Sequence, residues 1–92
     1  LVNKPDFAEA HYNLANAFKD LSQLDEAVKC CEQALAIRPD FAEAHNNLGN
    51  AFKELGQLDD AVKSYKKALA INPDYVVAQN NLDIVLKELS SW

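Results

Sequence analysis

Residues 39–75 read PDFAEAHNNLGNAFKELGQLDDAVKSYKKALAINPDY, and the same text, lightly edited, occupies residues 5–41. Pro5, Pro39 and Pro73 stand 34 residues apart, each followed by Asp and an aromatic: Asp6-Phe7, Asp40-Phe41, Asp74-Tyr75. Residues 8–41 and 42–75 agree at about two-thirds of positions. A fixed period of this length marks a stack of supersecondary units that share one continuous core. Four units follow: residues 1–7 match the end of a preceding repeat, with Leu1 on Leu35 and Lys4 on Arg38. Residues 8–41 and 42–75 are two full repeats. Residues 76–92 are a C-terminal capping helix or half of a third.

The content of each unit is helical. Ala and Leu dominate, threonine is absent, and glycine occurs twice in 92 residues. The spacing predicts first helices over 8–21, 42–55 and 76–90, and second helices over 25–37 and 59–71. The connectors Ser22-Gln23-Leu24 and Gly56-Gln57-Leu58 are short, so paired helices run antiparallel. Asp25 and Asp59 are expected to cap the second helices, with Glu26 and Asp60 favourable beside the positive end of the helix dipole. Pro forces the residue before it out of the helical region and ends the second helix. Asp6, Asp40 and Asp74 then cap the next first helix.

Leu14, Ala15, Phe18, Ala27, Cys31, Ala34 and Pro39 in one copy, and Leu48, Gly49, Phe52, Ala61, Tyr65, Ala68 and Pro73 in the next, resemble the tetratricopeptide repeat. The resemblance covers essentially the whole chain and implies an all-α, right-handed solenoid of five helices. The family's frequent Trp near the start of the first helix is His11 and His45 here, and its second-helix aromatic is Cys31 in copy one.

At 100° per residue, His45, Leu48, Gly49, Phe52 and Leu55 share one side of the first helix, which is the core side. Gly49 is expected to face Ala61 and Ala68. The other side is polar. The resemblance places it on the concave wall of the superhelix. Across three copies that wall reads Glu9, Tyr12, Asn13, Asn16 and Lys19, then Glu43, Asn46, Asn47, Asn50 and Lys53, then Val77, Asn80, Asn81, Ile84 and Lys87.

Asparagine is a poor helix former, up to about 0.7 kcal/mol worse than alanine per site. Its amide both donates and accepts, as an extended peptide backbone does. Two readings of these asparagines stay open: they bond to each other and to water, or they hold a peptide. On the second, replacing Asn47 or Asn50 weakens peptide binding and barely alters stability. The Asn13, Asn47, Asn81 series is similar to that in the repeat arm of O-linked N-acetylglucosamine transferases, which implies sequence-tolerant capture of extended protein segments. The family's carboxylate clamp is not expected: Asn16 and Asn47 fit, but its basic positions carry Tyr12, Val77 and Asn81.

The expected function is therefore a non-catalytic protein-interaction module that takes protein or peptide partners, with no cofactor. The alternatives are a substrate-recruiting segment of a larger enzyme and a self-assembling element. No phosphate loop, nucleophile elbow or perturbed carboxylate pair is visible. His11 and His45 read as packing residues, since no further ligands lie at metal-binding spacing. Cys31 reads as a small core residue and Cys30 as partly exposed. Adjacent cysteines cannot staple a fold, which points to a reducing, cytoplasmic setting. The net charge of −5 disfavours duplex nucleic acid. No apolar run is long enough to span a membrane, and no leader opens the chain. The absence of Met suggests a piece of a longer protein. Asp83 takes the slot of Ala15 and Gly49, as at a C-terminal cap. Val77, Ile84, Val85 and Trp92 leave an apolar patch suited to a homodimer or end-to-end stack.

Overall fold

The computed structural model describes residues 6–91 as five helices in chain order. They are α1 (Phe7–Asp20), α2 (Leu24–Ile37), α3 (Ala42–Glu54), α4 (Leu58–Ile71) and α5 (Val76–Ser90). No strand occurs among the described residues. The match of residues 1–5 to the end of a repeat, and the place of Trp92, fall outside the described residues. The helices pair as α1 with α2 and α3 with α4, and α2 and α4 each pack on the helix that follows. Stacking gives an elongated slab of 54 × 29 × 17 Å. Its radius of gyration is 13.4 Å, against about 12 Å for a compact chain of this length.

Each pair turns through the same device. The amide of Gln23 donates to the Phe18 carbonyl at 2.8 Å, and that of Ser22 to the Lys19 carbonyl at 2.9 Å. Gln57 to Phe52 and Gly56 to Lys53 repeat the pattern at 2.8 and 3.0 Å. These are the paired bonds of a Schellman cap, which needs a left-handed residue. Ser22 (φ 61°) and Gly56 (φ 80°) supply it.

The caps differ from the sequence expectation at several places. Asp6 does cap α1, accepting from the Glu9 amide at 3.1 Å. At α3 and α5 the cap position is instead Phe41 and Tyr75, with no side-chain bond. The helix begins one residue after the aromatic, so Asp40 and Asp74 stand one position too early. Asp25 and Asp59 are not caps either. Gln23 and Gln57 hold that position, and the acids sit inside the first turn, where only the dipole interaction remains.

The core is built from small residues on facing helices. Ala8, Ala34, Phe41 and Ala44 form one cluster, and Ala15, Cys30, Cys31 and Leu48 a second. Ala61, Tyr65, Leu82 and Val85 form the third. Three expectations are corrected here. Cys30 is buried, 5% exposed, because it sits between α2 and the Leu48 face of α3. Val85 is fully buried against α4 and contributes nothing to an apolar surface. Gly49 faces Tyr65 rather than Ala61 and Ala68: a Cβ there would meet the ring at 2.6–2.9 Å. His45 is buried, and its Nε2 donates to the Pro39 carbonyl at 2.9 Å, tying α3 to the turn before it. His11, in the same slot of α1, is half-buried. No helix of the described residues is long and apolar enough to cross a membrane.

Candidate functional site

The polar side of α1, α3 and α5 carries the asparagines, and the structure sorts them into two kinds. Asn16 and Asn47 bond across α1 and α3, with the Asn47 Nδ2 donating to Asn16 Oδ1 at 2.5 Å. Asn81 Nδ2 donates to Asn46 Oδ1 at 3.1 Å, joining α5 to α3. Asn50 Oδ1 accepts from the Tyr65 hydroxyl at 2.5 Å. Asn13 and Asn80 are exposed, with no hydrogen-bond partner among the described residues.

Two corrections follow. Asn46 is only 4% exposed, so it lies beneath the wall and is committed to Asn81. Asn50 is not free of a stability role, because it satisfies the hydroxyl of a buried tyrosine. Leaving such a donor unpaired costs about 1–3 kcal/mol. Asn47 and Asn81 each keep one amide hydrogen and the Oδ1 lone pairs beyond these bonds.

Cavities bracket this row. A cavity of about 410 Å³ lies where α1 and α3 begin, lined by Glu9, Tyr12, Arg38, Asp40, Phe41 and Glu43. The Tyr12 and Phe41 rings lie 4.9 Å apart, and the Arg38 guanidinium stacks 3.9 Å over Phe41. Arg38 also reaches Asp6 at 3.3 Å and Glu9 at 3.8 Å. At the other end of the same helices a cavity of about 120 Å³ is lined by Lys19, Asn50, Lys53 and Glu54. Lys19 and Lys53 are half-buried, with no carboxylate within 4.0 Å among the described residues.

On α5, Val77 and Ile84 are exposed, as are Asn80 and Lys87. A third cavity of about 320 Å³ lies at the turn before α5, lined by Pro73, Asp74, Tyr75, Val76, Gln79 and Asn80. Asp83 is exposed and accepts from Gln79 Nε2 at 3.0 Å. The sequence reading missed Arg38, Phe41 and Glu54. Phe41 carried a signal in the aromatic that recurs after each Pro-Asp pair, which was read only as a repeat marker.

The buried hydroxyl and thiols are chemically quiet. Burial, with Glu54 and Glu88 nearby, pushes the Tyr65 phenol up to about 12. Burial, with Cys30 next in effect, pushes the Cys31 thiol up to about 12. Burial and then Glu26 raise Cys30 as well. A thiol raised this way is a poor nucleophile near neutral pH. No group of three or more metal-ligating side chains occurs among the described residues.

Comparison with known proteins agrees with this geometry. One tetratricopeptide-repeat model matches residues 42–75, and a second TPR-repeat model matches residues 15–56. Among solved structures, the chain is similar to the first TPR domain of human RPAP3, with a TM-score of 0.90 at 27% identity over 96% of this chain and 69% of that one. The first TPR of Spaghetti (RPAP3), bound to the HSP90 peptide SRMEEVD, gives 0.89 at 26% identity over 95% and 69%. MamA shares the fold, with a TM-score of 0.89 at 24% identity over 94% of this chain, which spans about half (51%) of the MamA chain. A comparison with curated proteins finds no match. Tetratricopeptide repeats are protein–protein interaction modules. Residues 15–75 thus match tetratricopeptide-repeat models, and the 34-residue period folded as stacked antiparallel helix pairs has the fold of that repeat.

Proposed function

We propose that the chain is a non-catalytic interaction module that holds an extended protein segment along the wall formed by α1, α3 and α5. The observation that carries this reading is the pair Asn13 and Asn80, exposed on that wall with no partner among the described residues. Such residues cost helix propensity and return no internal bond. With the remaining valences of Asn47 and Asn81, they offer amide groups to a peptide backbone. Packed helices lie about 8–10 Å apart and an extended chain advances about 3.3 Å per residue. One asparagine rung thus meets about every third peptide residue. The related RPAP3 domain supports the ligand class, since it is bound to a peptide. The grip proposed here differs from a carboxylate clamp, because Tyr12, Val77 and Asn81 stand where that clamp needs cations.

The test is fluorescence anisotropy with a labelled, unstructured Ser/Ala-rich peptide and an Asn13→Ala/Asn80→Ala double variant. Each amide lost removes about 1 kcal/mol, or roughly fivefold in affinity. Unchanged affinity in the folded double variant contradicts the reading.

Self-association is the second reading, supported by Val77 and Ile84, which stay exposed on α5, and by a further apolar stripe along α1. Phe7 and Leu14 on α1 and Leu21 at its C-terminal cap lie seven residues apart and are 61%, 46% and 67% exposed. The equivalents of the first two, Phe41 at the cap of α3 and Leu48 on α3, are 7% and 8% exposed, covered by α2. We infer that a second copy of the chain covers this α1 stripe at high concentration. Light scattering that gives a monomer mass at every concentration, or an unchanged mass in Leu14→Glu where the wild type dimerises, contradicts it.

A further inference from the structure

The wall carries two rows of opposite charge, one on each side of the asparagines. Glu9 and Glu43 occupy the same slot of successive repeats near the start of α1 and α3, and Lys19 and Lys53 share a slot near their ends. Ten residues separate the rows on each helix, which is about 15 Å at 1.5 Å per residue. Each row opens into its own cavity between the same two helices. In the larger, three carboxylates (Glu9, Asp40 and Glu43) face one guanidinium, and that guanidinium is already engaged by Asp6 and Glu9. In the smaller, two ammonium groups face the single carboxylate of Glu54. The smaller holds about 120 Å³, about four waters at roughly 30 Å³ each, which suits one carboxylate. The larger, walled by the Tyr12 and Phe41 rings, suits a longer cationic side chain.

Successive side chains of an extended peptide point to opposite sides. A peptide running across the helices along the asparagines therefore sends alternate side chains toward the acidic row and the basic row. Both cavities lie at one step of that path, between α1 and α3. Resting on the peptide-binding reading above, we infer that the preferred ligand carries a Lys or Arg and an Asp or Glu at adjacent positions. The cation enters the Glu9/Glu43 cavity, and the carboxylate enters between Lys19 and Lys53 beside Asn50.

The experiment uses acetylated, amidated peptides, so that the only carboxylate is a side chain. Ser-Ala-Ser-Lys-Glu-Ser-Ala-Ser places the charges adjacent. Ser-Ala-Lys-Ser-Glu-Ser-Ala-Ser has the same composition with both charges on one side. Ser-Ala-Ser-Gln-Gln-Ser-Ala-Ser is neutral and is tested both amidated and with a free carboxyl terminus. Exposed or half-buried ion pairs contribute up to about 1 kcal/mol, so the adjacent peptide is expected to bind about fivefold tighter than the other two amidated peptides. Glu43→Gln, at an exposed site, and Lys53→Gln each remove most of that advantage, and raising the salt does the same. Equal binding of all the peptides overturns the charge assignment and leaves the peptide-binding reading standing. Tighter binding of the same-side isomer, or an equal gain from the free carboxyl terminus alone, also overturns it. Binding by none of the peptides overturns both.

Discussion

The ring of Tyr65 lies flat against the backbone of Gly49, where an added Cβ would fall 2.6 Å from Cε1. The same two slots in the first repeat hold Ala15 and Cys31, both buried in one cluster. The chain thus fills one space in two ways: a large ring over no side chain, or a small thiol over a methyl. Gly49→Ala alone is expected to cost about 1–3 kcal/mol by overpacking. In a double-mutant cycle with Tyr65→Cys, the pair should lose less than the sum of the single losses. Additive losses in chemical denaturation would show that the two residues do not share the space.

Ser22 and Gly56 close equivalent turns at positive φ, and only one of them is glycine. A left-handed conformation costs a non-glycine residue about 1–2 kcal/mol. Ser22→Gly should therefore raise stability, by about 0.5–1 kcal/mol after the greater unfolded-state entropy of glycine is subtracted. Gly56→Ser should lower it. A melting temperature that falls in Ser22→Gly would refute the strain assignment.

The asparagines separate by variant. Asn50→Ala leaves the Tyr65 hydroxyl without its acceptor and should cost about 1–3 kcal/mol of stability. Asn13→Ala has no partner to orphan and should leave the unfolding midpoint unchanged or slightly higher, since alanine is the better helix former. Equal stability losses at both sites would erase the distinction between bonded and free asparagines.

Tyr65 gives the fold a dependence on high pH. Its phenol is held at about 12, above the ordinary value of 10.0, so the folded state retains the proton longer than the unfolded chain does. The resulting stability is fully present below pH 10 and is lost as pH rises toward about 12. Thermal unfolding of wild type should fall more steeply above pH 10 than that of Tyr65→Phe. Cys31, also raised to about 12, sits in the separate cluster with Ala15 and Leu48, so its contribution cancels in the comparison. Parallel pH profiles would contradict the burial of the phenol.

What was legible in the sequence was local. The Pro-Asp pairs and the 3.6-residue spacing of Ala and Leu placed every helix within about one residue, because both signals act within a turn or two of chain. The same logic placed the cap at Asp6 but failed at Asp25, Asp40, Asp59 and Asp74, where another residue holds the cap position. Contacts between helices were not legible. A helical wheel puts Asn46 and Asn47 on one polar arc, but only the positions of α1 and α5 decide that Asn46 is buried and bonded to Asn81. Cys30 was misplaced for the same reason, since its cover comes from Leu48 on the next repeat. Gly49 was placed on the core side, yet its partner, Tyr65, depended on the register between α3 and α4. The cavity at Arg38 and Phe41 arises at a turn shared by two repeats and has no single-helix pattern.

The most direct test of the concave wall as the working surface is the amide spectrum, backbone and side-chain, of the seven asparagines on α1, α3 and α5 during titration with an extended peptide. The side-chain amides of Asn13, Asn47, Asn80 and Asn81 should shift together and saturably, while the backbone amides of Lys63 and Lys67 on the outer helix α4 stay still. Shifts confined to α4, or to the α1 stripe at Leu14 and Leu21, would contradict the account and move the interaction to another face.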